Sequence, residues 1–167
     1  GPLNKSAYLF ATAGIATASA GDAQYQIMAA VMCAGMVPPL AMALSTVLRP
    51  GLYSDPEREN GKAAWLLGAS FISEGAIPFA ATDPLRVIPS TMLGGAVTGA
   101  LCMAFGVELR APHGGVFVFF AMNNWALFLV ALVAGTVVAA LAVTVAKQFR
   151  TSNGAAADTA QPQTVSA

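Results

Sequence analysis

Three long stretches of the chain carry no Asp, Glu, Lys or Arg: positions 23–48, 87–107 and 114–146, fenced by Asp22, Arg49, Arg86, Glu108, Arg110 and Lys147. Each reaches the roughly 20 apolar residues that a helix needs to cross about 30 Å of hydrocarbon, so the pattern predicts three spanning helices. Two further apolar stretches are shorter or broken. Positions 6–21 are rich in Gly, Ala, Ser and Thr, and positions 63–81 are interrupted by Glu74, Gly75 and Pro78. Both read as half-helices or re-entrant helical hairpins. Irregular backbone at membrane depth persists only where protein or a wet cavity satisfies its amides, so the hairpin around Glu74 points to a site. The fold class is therefore all-α integral membrane, with about three spanning helices plus one or two re-entrant hairpins. From Thr151 onward Gly, Ala, Ser, Thr, Gln and Pro dominate, with Asp158 the single charge. Nothing there can bury a core, so 1–150 is read as the membrane domain and 151–167 as a disordered polar tail.

Composition sharpens the exclusions. Of the 167 residues 56% are hydrophobic and only 10% are charged, against about 25% charged in soluble domains. Eight Lys and Arg balance eight Asp and Glu, which leaves no basic field to hold nucleic acid. Cys33 and Cys102 stand alone inside apolar stretches with no nearby ligand cluster. They read as packed thiols, and neither a metal nor a cofactor is expected. No Ser-His-Asp set, paired catalytic carboxylates or phosphate-binding loop is present, so no catalytic residue is assigned and a self-contained enzyme is not supported.

Packing signals lie inside the spans. Gly95 and Gly99 form a G-x-x-x-G, extended by Gly94 and Ala100, that would admit a second helix backbone. Met28, Met32 and Met36 recur at helical spacing and read as packing. Pro38-Pro39 should kink the first span or end its regular part. Trp65 and Trp125 suit the interfacial belt, with sugar stacking the open alternative.

Glu74 is the leading functional candidate, because a carboxylate in an apolar surround is expensive unless it is paired or used. The competing reading is an interfacial Glu at a loop turn. Asp83 followed by Pro84 is a helix start, with Asp83 as N-cap, and Arg86 in the next turn reads as an interfacial anchor or the partner of Asp83. His113 is the single histidine and lies in a Pro- and Gly-fixed turn between two predicted spans. Asn123 and Asn124 fall early in the last predicted span, where bundle packing would satisfy them.

The run FISEGAIPFAATDPLRVIPS at 71–90 and the run RAPHGGVF at 110–117 resemble the fructose-family membrane component, enzyme IIC, of the bacterial phosphoenolpyruvate-dependent sugar phosphotransferase system. The opening GPLNK also resembles that family's G-P-[VM]-N-K segment. The likeness covers about residues 1–150 and would make the chain the C-terminal half of such a permease, without the amino-terminal spans that supply most of its dimer interface. What the resemblance implies is uptake of a sugar, fructose being expected, coupled to its phosphorylation by a IIB partner. Glu74 matches the glutamate of the family's I-T-E signature, with Ser73 in place of Thr and Gly75 following. His113 matches its A-P-H-G-G histidine, and Asn4 and Lys5 match the first segment. All six would contribute to substrate binding. Neither phosphorylated residue, the IIB cysteine or the IIA histidine, is present in this chain. The alternative from another class is a noncatalytic membrane packing or assembly subunit. The bacterial inner membrane is the expected location, with lipid as surround, a homodimer for the full-length protein, and a cytoplasmic C-terminus. Arg49, Arg58, Lys62, Arg86, Lys147 and Arg150 then share one side and Arg110 lies opposite, as the positive-inside bias asks.

Overall fold

A computed structural model describes residues 21–158 together with Leu9 and Ala13, and side chains as far as Phe149. Asn4, Lys5, the expected hairpin at 6–21 and the end of the tail lie outside the described residues. Among the described residues three helices are long and apolar enough to cross a membrane: α1 (Asp22–Leu48), α4 (Pro84–Ala104) and α5 (Trp125–Asp158), whose apolar part is Trp125–Phe149. The described chain has no strand, only an isolated bridge between Leu109 and Met122, and it is an all-α membrane protein. α5 keeps helical backbone beyond Arg150 into the stretch expected to begin the polar tail.

The first two spans fall where the charge-free runs place them. The third does not begin at Gly114. Residues 105–124 instead form an irregular segment containing a 3-10 turn at Gly115–Ala121, and α5 starts at Trp125. Gly114 and Gly115 take φ values of 120° and 61°, conformations that interrupt a right-handed helix. Pro38 and Pro39 do not end α1, which runs through both as one helix. The carbonyl of Ala34 loses its amide partner at Pro38, and an added Cβ on Gly95 of α4 would sit 3.7 Å from it.

α1 is the hub. It packs against both other spans and against α2 (Asp55–Ala69). Met28, Met32, Cys33, Met36 and Val37 are fully buried, and they share one core with Cys102 of α4 and Phe128, Ala139 and Ala140 of α5. The close contact between α4 and α5 is made at Gly94 and Gly135. A Cβ on Gly94 would lie 2.7 Å from the Gly135 carbonyl, and one on Gly135 would collide with the Thr98 hydroxyl. Gly95 and Gly99 are not that contact: Gly95 faces Ala34, and an added Cβ on Gly99 would meet nothing within 4 Å. A rotation of about 100° per residue separates the faces of Gly94 and Gly95, and only the former looks at α5. Gly135→Ala should therefore lower the thermal stability of the detergent-solubilised protein, by at least about 1 kcal/mol, as overpacking in a close-packed interior does. Gly99→Ala, whose methyl group has open space and which gains helix propensity, should leave the melting temperature at or above the parent's.

Between α1 and α4 the chain makes a hairpin of helices. α2 rises from Asp55, a 3-10 turn follows at Ser73–Ala76, and α3 (Ile77–Thr82) leads back. Both limbs return to one end of the bundle, where the Thr82 hydroxyl donates to the Glu57 carboxylate over 3.0 Å. The apex reaches the middle of α1: Gly68 packs on Leu40, Gly75 on Pro39 and Phe71 on Gly35. This is the broken hairpin that Glu74, Gly75 and Pro78 announce in the sequence.

Candidate functional site

The apex of the hairpin meets a second infolded segment. At the end of the bundle opposite Thr82, the amide of Leu109 donates to the Tyr25 carbonyl over 3.0 Å, and the amide of Asn123 to the Glu108 carbonyl over 3.2 Å. The Asn123 side-chain oxygen accepts the Glu108 amide at 2.5 Å. Asn123 and Asn124 thus precede α5 and close the neck of this segment, where span packing was expected of them. Asn124 has a left-handed φ of 44° and its carbonyl accepts the amides of Leu127 and Phe128 in the first turn of α5. From that neck, residues 110–121 fold inward along α1. Tyr25 to Gly35 corresponds to about 15 Å of helix at about 1.5 Å per residue, and contacts of the segment reach the Gly35 level. A Cβ on Gly115 would collide with the Ala69 carbonyl and lie 2.8 Å from the Phe71 nitrogen. The rings of His113 and Phe71 meet edge-on at a centroid distance of 5.5 Å and an interplanar angle of 62°.

Two segments entering from opposite ends of the bundle therefore touch near the middle of α1, and they carry the two sequence motifs singled out above. His113 is exposed, and its ring meets that of Phe71, two residues before the turn that holds Ser73, Glu74 and Gly75. Glu74 is exposed, and its carboxylate has no hydrogen-bond partner among the described residues. Ser73 is half-buried, and Gly75 is buried between Leu67 and Pro39. A carboxylate, an imidazole and a hydroxyl can between them donate to and accept from several hydroxyls.

Asp83 and Arg86 lie elsewhere, at the base of the hairpin. Asp83 does occupy the N-cap position of α4, with Pro84 as the first helical residue. Its side chain, however, does not cap the helix amides. Both oxygens accept from one Arg86 nitrogen, at 2.9 and 3.1 Å, while Arg86 Nε donates to the Ala146 carbonyl of α5 at 3.1 Å. The charge of the guanidinium outcompetes backbone amides for the carboxylate.

A second charged cluster at this base escapes sequence reasoning. Glu57 and Lys147, each 8% exposed, approach to 3.4 Å. The other Glu57 oxygen accepts the amide and hydroxyl of Ser54 at 2.8 and 3.0 Å. Lys147 stands 4.1 Å over the ring of Tyr53, whose hydroxyl pairs with Ser45 at 2.6 Å; Ser45 in turn pairs with Thr144 at 2.8 Å. Burial pushes the Glu57 carboxyl up, but the Ser54 amide and hydroxyl, the Thr82 hydroxyl and the Lys147 charge outweigh it and hold the pKa below its ordinary value. Burial foremost pushes the Tyr53 phenol up to about 12, with the nearby Glu57 and Asp83 charges adding to it against the Ser45 hydrogen bond. The one local signal was Ser54-x-x-Glu57, a capping-box spacing that announces the start of α2 but not its partner on α5. Because the Glu57 pKa is depressed in the folded state, its stabilisation is complete above the unfolded carboxyl value of about 4.3 and disappears as pH falls through the lower folded value. Acid unfolding of Glu57→Gln should lack that share of the pH dependence, read from melting curves between pH 7 and 3.

The fructose permease IIC component of Bacillus amyloliquefaciens is 48% identical over 148 residues, 89% of this chain and 47% of that protein. The fructose-specific EIIB'BC component of Escherichia coli K12 is 52% identical over 145 residues, 85% of this chain and 25% of its own length. Over most of its length this chain is thus similar to membrane components of fructose-type phosphotransferase permeases. The fructose-specific EIIC component of Haloferax volcanii is 48% identical over 147 residues, 38% of its length. The chain thus spans less than half the length of these relatives. No family model and no solved structure matches it.

Proposed function

We propose that the chain forms part of the sugar pathway of a fructose-type phosphotransferase permease, acting in uptake coupled to phosphorylation by a IIB partner. The observation that carries this reading is the meeting, at the middle of α1, of the hairpin bearing Ser73 and Glu74 with the infolded segment bearing His113. Relatives near 50% identity are named fructose-specific components, and several carry IIB in the same polypeptide. Fructose, a IIB domain and the remainder of the IIC polypeptide are accordingly the proposed substrate and partners, with homodimerisation of the whole permease.

Glu74 and His113 bind sugar hydroxyls in this reading. An exposed carboxylate without a protein partner is ready for such a ligand, and the same group has the chemistry to take the proton of the attacking hydroxyl during phosphoryl transfer. The base of the hairpin, with Arg58, Arg86 and Lys147, faces the cytoplasm of the bacterial inner membrane, and Arg110 faces outward. IIB then meets the end from which the hairpin enters.

The test is uptake and phosphorylation of labelled fructose in a strain lacking its own fructose permease, with this chain supplied alone or within a full-length IIC polypeptide. Uptake is expected only with the full-length form. Failure of the full-length form would favour a noncatalytic packing subunit. Lys or Arg positions converted to Cys at 58 and 110 should label from opposite sides of the membrane; labelling from one side would overturn the topology.

A further inference from the structure

Phe71 has a backbone φ of 66°, a left-handed conformation that bulky side chains rarely occupy and that persists only where the surroundings over-determine it. Three contacts do so. The ring fills the notch left by Gly35 on α1, where any Cβ would collide with it. Its amide is crowded by Gly115, itself at a φ of 61°. Its edge meets His113 at 5.5 Å. The left-handed residue also turns the chain out of α2, two residues before the 3-10 turn that starts at Ser73.

We propose that Phe71 is a positioning residue: keyed into the Gly35 notch, it fixes the turn that carries Glu74 with its backbone and the imidazole of His113 with its ring, and so sets the spacing of the sugar-binding groups. This rests on the function proposed above. Hydrogen bonds weaken steeply with misalignment, so loosening that spacing costs affinity for the sugar before it costs turnover. Neither Phe71 nor Gly35 need touch the sugar.

Gly35→Ala is the decisive substitution. It adds one methyl group to α1, removes no polar group and improves helix propensity, yet it must displace the Phe71 ring. Phe71→Leu keeps apolar bulk and removes the ring. Both are measured in the full-length permease for fructose KM and Vmax, and in the ¹⁵N-histidine-labelled chain in lipid nanodiscs for the imidazole resonance that disappears in His113→Gln. Gly35→Ala is expected to raise KM about tenfold with Vmax within about twofold. Both variants should shift the His113 resonance. In the Phe71→Leu background Gly35→Ala should have no further effect on KM, because the ring it displaces is gone.

An unmoved resonance in Phe71→Leu overturns the proposal, as does a parental KM in Gly35→Ala or an equal effect of Gly35→Ala in both backgrounds. If Glu74→Gln and His113→Gln both transport like the parent, it is the proposed function that fails; the resonance then decides on its own whether Phe71 sets the imidazole.

Discussion

Lys147→Met is expected to destabilise the helical bundle by about 3 to 5 kcal/mol, the range for removing one member of a buried ion pair. Both members are nearly enclosed, with 9% and 11% of their side chains exposed, so water does little to solvate the carboxylate left behind. Ser54 and Thr82 still donate to it, which keeps Glu57 ionised and makes the missing cation felt. The methionine replaces most of the stem volume of lysine, so a cavity accounts for little of the loss. In Glu57→Gln/Lys147→Met no net charge is buried, and much of the stability should return, since buried pairs are often replaceable by uncharged groups at little cost. Thermal unfolding in detergent, followed by circular dichroism for the four proteins of this cycle, reads the result. A parental melting temperature for Lys147→Met would mean that the pair is solvated and adds nothing to the hold of the hairpin base on α5.

The consequence extends beyond stability. Glu57 joins α2 to α3 through Thr82 and to α5 through Lys147, and Arg86 joins Asp83 to the Ala146 carbonyl one residue before Lys147. The limbs of the hairpin are thus pinned to α5 near Lys147 by two adjacent charged groups, while its apex is seated by packing on Gly35, Pro39 and Leu40 of α1 and on Gly115 and His113 of the infolded segment. Strong electrostatics at one end and shape-fitting at the other leave the apex as the part most readily altered by a ligand.

How much of this was legible in the sequence follows from the range of each interaction. α1 and α4 were readable because the charges that bound them are local, and the hairpin because Glu74, Gly75 and Pro78 break an apolar run. The infolded segment at 105–124 was not: apolarity reports depth in the membrane, not helicity, and VFVFFAM is as apolar as a span. Its only local sign was the pair Gly114-Gly115. Nothing local ties Glu57 to Lys147, because their partnership joins positions 90 residues apart. His113 and Glu74 were each readable as candidates, but their neighbourhood depends on Phe71 and Gly115, and nothing in either motif says that the two segments enter from opposite ends. The G-x-x-x-G, extended by Gly94, announced a close helix contact without its partner: Gly94 faces α5 and Gly95 faces Ala34 of α1, a division that only the rotation of α4 decides.

Glu74→Gln is expected to weaken fructose binding by about 1.5 to 3 kcal/mol, or about 10- to 150-fold in Kd, the range for hydrogen bonds to a charged group. The substitution keeps shape and one acceptor oxygen, and Glu74 is exposed with no partner among the described residues, so folding should be untouched and the loss should appear in affinity alone. Asp83→Asn is the informative contrast. Asparagine is a good N-cap, and on capping grounds alone it would be neutral; the carboxylate, however, serves Arg86, and its neutralisation removes the opposite charge and one of the two acceptor oxygens that hold the guanidinium beside the Ala146 carbonyl. Asp83→Asn should therefore lower the melting temperature while fructose affinity at a temperature where it is folded stays near the parent's. Isothermal titration with fructose on the reconstituted full-length permease, paired with melting curves for the same preparations, separates the two. Parental affinity in Glu74→Gln together with lost affinity in Asp83→Asn would move the sugar site from the apex of the hairpin to its base.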